Sequence, residues 1–219
     1  LPYVIMTYRG FESLPHRHKF PRDFNTFHIK YRLMKLNLGC GSNLKKDYTN
    51  LDKFDYYKPD LVHDLEIIPY PFENDSVEKI LMSHVLEHIG QDPNIFNNII
   101  KELYRICKNK AIIDIRVPHP RHDDFISDPT HVRPITILGL QLYDKELNEQ
   151  WEKGGFSNTP LALIHNVNFK VLKVDYKIDE KYKKLIDQKK IEKSEIEEMM
   201  NKYNNVIKEM AIEWTVIKD

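Results

Sequence analysis

The 219-residue chain is 41% hydrophobic and 11% aromatic, enough for one globular domain with helical additions and too much for wholesale disorder. Lysine plus arginine balances aspartate plus glutamate at 33 each, and ten histidines add little charge at neutral pH. That balance leaves no overall field to draw in phosphate polymers, so nucleic acid is not an expected partner. No apolar run approaches the ~20 residues of a membrane span, and no basic segment followed by an apolar core marks a signal peptide. The two cysteines, Cys40 and Cys107, lack the paired spacing of a zinc site and read as free thiols, which fits a reducing, cytoplasmic compartment.

In chain order, residues 1–34 are rich in Tyr, Phe, His, Arg and Pro without periodicity. They read either as a wrap packed on the domain or as a lid over a ligand. A short apolar strand, Lys35–Leu38, then runs into the turn Gly39-Cys40-Gly41-Ser42-Asn43. Asp52 follows so soon that the crossover to a second parallel strand must be abbreviated, because such crossovers usually take about a dozen residues and often a helix. Leu61–Leu65 reads as a third strand and Val77–Ser83 as a fourth, buried one, with a Pro69/Pro71 loop between them. Asp92-Pro93 caps a helix expected over Asn94–Lys108, whose stripe is Ile95, Ile99, Leu103 and Ile106. Ala111–Val117 makes a fifth strand. Pro134–Lys153 reads as largely helical with Gly154-Gly155 as its stop, and Phe169–Ile178 as a strand. The charged stretch 179–210 reads as a solvated helix pair, or alternatively a dimer contact or a cover for a pocket, before a last strand at Ala211–Ile217. Alternating strands and helices argue for a mostly parallel sheet covered by helices on both faces.

Three blocks carry a more specific signal: the glycine turn with Tyr48-Thr49-Asn50-Leu51-Asp52, then His63-Asp64-Leu65, then Ser83-His84-Val85-Leu86-Glu87-His88. In this order they resemble class I S-adenosylmethionine-dependent methyltransferases of the small-molecule type. The resemblance implies a Rossmann-like seven-stranded sheet whose last strand enters antiparallel, with the methyltransferase domain over residues 35–219. It implies S-adenosylmethionine as cofactor, S-adenosylhomocysteine as product, and Asn37, Leu38, Gly39, Gly41, Asp52, Asp64, Leu65, Ser83 and His84 as cofactor-binding positions. Asp52 suits a ribose diol, since two acceptor oxygens meet two donors. Asp64 suits the adenine amino group, with Leu65 over the ring. The chain departs from the family at Asn37, where relatives commonly carry an acid, and at Asn43, where they carry a third glycine.

A second cluster, His119-Pro120-Arg121-His122-Asp123-Asp124 and Asp128-Pro129-Thr130-His131-Val132-Arg133, begins where the fifth strand should end. His131, His119 and His122 are the candidate bases, since histidine titrates near neutrality. Arg121, Asp128 and Arg133 are candidate substrate contacts. The resemblance, through the Asp128-Pro129-Thr130-His131-Val132-Arg133 string, implies a small, sugar-like oxygen or nitrogen nucleophile, acted on by a monomer or homodimer. Two rivals stand beside this reading. One is a non-catalytic module that keeps the fold to support a partner. The other is a zinc peptidase, since His84-x-x-Glu87-His88 on a helix could place two histidines on one face around a metal; under the methyltransferase reading no metal is expected.

Overall fold

The computed structural model describes residues 34–218, so the wrap or lid expected over residues 1–34 lies outside the described residues except for Met34. The strands are β1 (Met34–Leu38), β2 (Thr49–Asp52), β3 (Leu61–Val62), β4 (Val77–Ser83), β5 (Cys107–Pro118), β6 (Phe169–Ile178) and β7 (Ile207–Val216). Between them run α1 (Pro93–Ile106), α2 (Asp123–Ile126), α3 (Ile137–Gln141), α4 (Lys145–Gly154), α5 (Leu161–His165), α6 (Glu180–Asp187) and α7 (Ile196–Lys202). They form one seven-stranded sheet in the order β3-β2-β1-β4-β5-β7-β6. All neighbours pair parallel except β7, which runs antiparallel to both β5 and β6. This is the Rossmann-like arrangement the resemblance implied.

The register explains where the core sits. Because side chains alternate along a strand, residues paired across neighbouring strands share a face. One row reads Leu36, Ile80, Ile113, Trp214, Val171, and the next Leu51, Leu38, Met82, Ile115, Ile212, Val174. Onto these rows α1 folds its own stripe, Phe96, Ile99, Ile100, Leu103 and Ile106. Leu140, Tyr143 and Val167 of the α3–α5 region join the same cluster. The row between them on the other face is Asn50, Asn37, Leu81, Asp114, Glu213, Lys173, and Lys79 there pairs with Asp114 at 2.8 Å. Helix α1 and the α3–α5 region thus bury their apolar residues against one face, and the paired row on the opposite face carries charge. A small satellite cluster, Ile196, Val206 and Ile207, holds the α6–α7 pair near the sheet end.

Several boundaries differ from expectation. Helix α1 stops at Ile106, and Cys107 opens β5 rather than closing the helix. Its buried stripe starts at Phe96, leaving Ile95 exposed. The third strand is two residues long, so Asp64 stands in the turn beyond it. The 134–153 segment breaks into α3 and α4, since Asp144 caps a new helix by accepting from Leu147 N–H. Gly155, left-handed at φ 73°, ends α4 as anticipated. The short helices α2 and α5 have no periodicity to betray them, and β7 starts four residues early, at Ile207.

Candidate functional site

The glycine turn leads to no helix; residues 39–48 make only turns before β2. What replaces the crossover helix is a pair of asparagines. Asn37, 2% exposed, donates through Nδ2 to the Asn43 carbonyl and to Asn50 Oδ1, both at 2.9 Å. Asn50 Oδ1 also accepts from Lys45 N–H, and its Nδ2 reaches the Lys45 carbonyl and Asp60 Oδ2. Asp52 completes the clamp, accepting Gly41 N–H at 2.8 Å and Phe54 N–H at 3.0 Å. Gly39 is left-handed at φ 62°, and a Cβ there would stand 2.6 Å from a Val85 methyl, so the close approach needs a bare backbone.

Beside this loop lies a hollow of about 210 Å³ lined by Gly39, Leu51, Asp52, Lys53, Phe54, His63, Asp64, Leu65, His84, Val85, His88 and Ile89. Its two carboxylates are separated along the chain yet open on one space. Each Asp52 oxygen takes one amide, which leaves further lone pairs on a group that accepts at about four positions. Asp64 accepts Glu66 N–H through Oδ1. Leu51, Leu65, Val85, Ile89 and Phe54 supply apolar walls. Carboxylates at the rim and apolar walls between them match a nucleoside, which has donor edges and greasy ring faces.

A second hollow, about 330 Å³, shares His84 and His88 with the first and adds Pro118, Asp124, Asp128, His131, Lys208 and Glu209. The shared wall is where β4 ends. His84 is left-handed at φ 57°, an uncommon conformation for a residue with a side chain. Its Nε2 meets Glu209 Oε2 at 3.0 Å and its Nδ1 stands 3.2 Å from Glu87 Oε1. The Glu87 carboxylate raises the His84 pKa most; burial opposes this and Glu209 reinforces it. Glu87 is fully buried, and neither of its oxygens makes an aligned hydrogen bond.

No known family model matches the sequence, and no curated protein matches it. Solved structures do. A SAM-dependent methyltransferase from Archaeoglobus fulgidus superposes with a TM-score of 0.56 at 20% identity, over 83% of this chain and 85% of that one. A SAM-dependent methyltransferase from Methanosarcina mazei gives 0.50 at 14% identity, over 85% and 93%. The chain has the class I methyltransferase fold. At these identities the likeness speaks for that architecture, and the residues must speak for the rest.

Set on the methyltransferase fold, the residues expected to hold cofactor separate into two groups. Gly39, Asp52, Asp64, Leu65 and His84 line the first hollow. Asn37, Leu38, Gly41 and Ser83 do not. Asn37 is spent on the loop, Leu38 is sealed in the core row, and Gly41 gives its N–H to Asp52. Ser83 is the last residue of β4, opposite Arg116 of β5.

The second cluster divides likewise. His131 and Asp128 line the second hollow. His122 instead caps α2 through Nδ1 and meets Asp179 through Nε2, and it is 5% exposed. His119 accepts Arg121 N–H on Nδ1, and its pKa is lowered by burial and then by Arg121 and His122. Arg121 donates to the carbonyls of Met200 and Asn201 at the end of α7. Arg133 lies over the Phe96 ring, donates to the Gly90 carbonyl, and faces a separate hollow near α1 and α3. None of these four lines the second hollow.

The zinc-peptidase spacing also resolves differently. Leu86–His88 is a single 3-10 turn, so His84 and His88 do not share an α-helical face. Among the described residues, Glu87, His88 and His131 bring ligand atoms within 4.8 Å of one another. Sequence spacing within one motif gave no sign of His131 as their partner. Asn50, Glu209 and Lys208 were likewise missed. Only Asn50, inside the Tyr-x-Asn-x-Asp string, carried a signal that could have found it.

Proposed function

We propose that this protein is a methyltransferase that uses S-adenosylmethionine to methylate an oxygen or nitrogen of a small molecule, releasing S-adenosylhomocysteine. One observation carries the reading: Asp52 and Asp64 converge with Gly39 on one apolar-walled hollow of about 210 Å³ that shares His84 and His88 with a second hollow. When bound, the cofactor supplies an electrophilic methyl group. The chain's own work is then alignment, exclusion of water and handling of the acceptor's proton.

In this reading Asp52 takes the ribose diol, Asp64 the adenine amino group, and Leu65 lies along the ring. The acceptor sits in the second hollow among Asp124, Asp128, His131, Lys208 and Glu209, a mixed-charge lining suited to a polar, sugar-like molecule. Asp128 is held anionic by Thr130, whose hydroxyl and amide both donate to it and lower its pKa. His84, held between the Glu87 and Glu209 carboxylates, keeps its own proton, so the acceptor's proton would pass to another group of the second hollow. Buried, unpaired Cys40 and Cys107 fit a cytoplasmic place of work; burial raises both thiol pKa values, that of Cys107 to about 12. Among the described residues no helix is long and apolar enough to cross a membrane.

Calorimetry with S-adenosylhomocysteine tests this directly. The full chain should give saturable micromolar binding, and Asp64→Ala should weaken it about 10- to 100-fold, the worth of a hydrogen bond to a charged group. No saturable heat into the millimolar range removes the reading.

A further inference from the structure

We infer that Glu87, His88 and His131 form a binding site for one divalent transition-metal ion, zinc being the reference case, at the wall between the two hollows. Their ligand atoms already lie within 4.8 Å of one another. Three observations on these residues point the same way.

The first is the carboxylate. Glu87 has no exposure, and neither oxygen has an aligned hydrogen bond. Burying a carboxylate without compensation is costly, and such groups are normally paired or bound to a cation. His84 stands close to Oε1 but is shared with Glu209, so it offsets only part of the charge.

The second is the tautomer of each imidazole. His131 Nδ1 faces the Phe125 carbonyl at 2.7 Å, which can only accept, so that nitrogen carries the proton. Thr130 spends its single hydroxyl proton on Asp128 Oδ1 at 2.6 Å. Toward His88 Nδ1, 3.0 Å away, the same hydroxyl must therefore accept. In its neutral form each ring keeps a lone pair on Nε2, and that nitrogen of His131 stands 3.8 Å from Asp128 Oδ2. Metal-bound histidines show this pattern, the second ring nitrogen donating to a carbonyl or other oxygen that fixes the ring.

The third is the framing. His131 is stacked on Phe125 with an interplanar angle of 17° and meets His88 edge-on at 4.6 Å, so neither ring is loose. The Glu87 carbonyl accepts from Val132 N–H, tying the two chain segments together. Ligand atoms around one zinc lie roughly 3.4 Å apart, as follows from bonds of about 2.1 Å in a tetrahedron, so the group has about an ångström to close.

Two nitrogens and one carboxylate oxygen suit zinc, manganese or iron better than calcium or magnesium. Three protein ligands leave a position open, and His88 and His131 both border the 330 Å³ hollow. The fourth ligand would therefore be water or an oxygen of the molecule held there, whose hydroxyl proton the ion would make easier to lose. That use rests on the methyl-transfer reading; the binding site itself does not.

The test is direct titration. Full-length protein without a histidine tag is stripped with chelator, dialysed, and titrated with zinc against a chromophoric competitor, with no nucleoside present. One equivalent should bind per chain. His88→Ala and His131→Ala should each lower affinity at least about 100-fold, and Thr130→Val, which removes the hydroxyl that His88 shares with Asp128, about 10- to 100-fold. Glu87→Gln should weaken binding while leaving the circular dichroism spectrum intact; if it does not fold, Thr130→Val decides. Absence of stoichiometric binding, or affinity indifferent to His88, His131 and Thr130, overturns the assignment. Because S-adenosylhomocysteine is absent, neither result depends on whether the cofactor binds.

Discussion

Asn37 shows how far a single amide can change the meaning of a motif. Relatives in the resembling family commonly carry an acid there, so Asn37→Asp restores the pattern on paper. The geometry says otherwise. The Asn37 Nδ2 protons go to the Asn43 carbonyl and Asn50 Oδ1, two oxygens with nothing to donate in return. A carboxylate at a position 2% exposed would face both acceptors with a buried charge. Asn37→Asp should therefore destabilise the protein by about 3 kcal/mol, measured by urea denaturation, rather than tighten cofactor binding. Asp52 and Asp64 were legible in the sequence because each follows a short apolar run, and carboxylates past strand ends tend to face the ligand rim. The role of Asn37 was not, since its partners lie in a loop whose path no periodicity describes. The shared use of His131 with Glu87 was hidden for a related reason: the two come from segments joined only by tertiary folding.

Helix α1 and the loop before β4 are joined by one guanidinium. Arg105 donates to both Glu102 oxygens, to the Tyr70 and Phe72 carbonyls and to Asn74 Oδ1, while Tyr70 N–H donates to Glu102 at 2.6 Å. Burial alone would raise the Glu102 pKa, but Arg105 and the Tyr70 amide outweigh it and hold the group below its usual 4.5. A depressed folded-state pKa stabilises fully above the unfolded value and loses that contribution as pH falls through the folded one. Glu102→Gln should thus cost about 2 kcal/mol at neutral pH. The gap to wild type should narrow as pH drops below 4.5, followed by urea melts read through tryptophan fluorescence. A gap independent of pH would assign the cost to packing instead. At this scale the sequence did well where a cap announces itself: Asp92 accepts Asn94 N–H, as Asp-Pro implied. It did poorly where an element changes without punctuation, as at Ile106 and Cys107, because apolar residues serve helix and buried strand equally well.

For the molecule as a whole, the two apolar rows and α1 form one cluster, with Trp214 stacked on Phe169 at 3.9 Å between ring centres. The α6–α7 pair belongs to the small separate cluster of Ile196, Val206 and Ile207, as the charged composition of that stretch implied. Stability should divide along the same line. Amides of α6 and α7 should exchange with deuterium at least on the order of tenfold faster than those of β4 and β5, through local opening rather than global unfolding. Equal protection would make the pair part of the central unit. The seven-stranded, mostly parallel sheet and the antiparallel β7 were legible from the alternation of elements and the resemblance together, whereas the strand order and the charged row on the second face appear only once the strands are in register.

The turn-only passage between β1 and β2 has one more effect. Dinucleotide enzymes seat a pyrophosphate on the positive pole of the helix that opens directly after their glycines. This chain offers no such pole, and the groups that face the ligand at that rim include the acids Asp52 and Asp64. A polyphosphate would meet repulsion from both acids there, offset in part by Lys53 on the same lining. Under the methyl-transfer reading a sulfonium would bring the opposite sign, and the missing helix would itself favour it over a pyrophosphate.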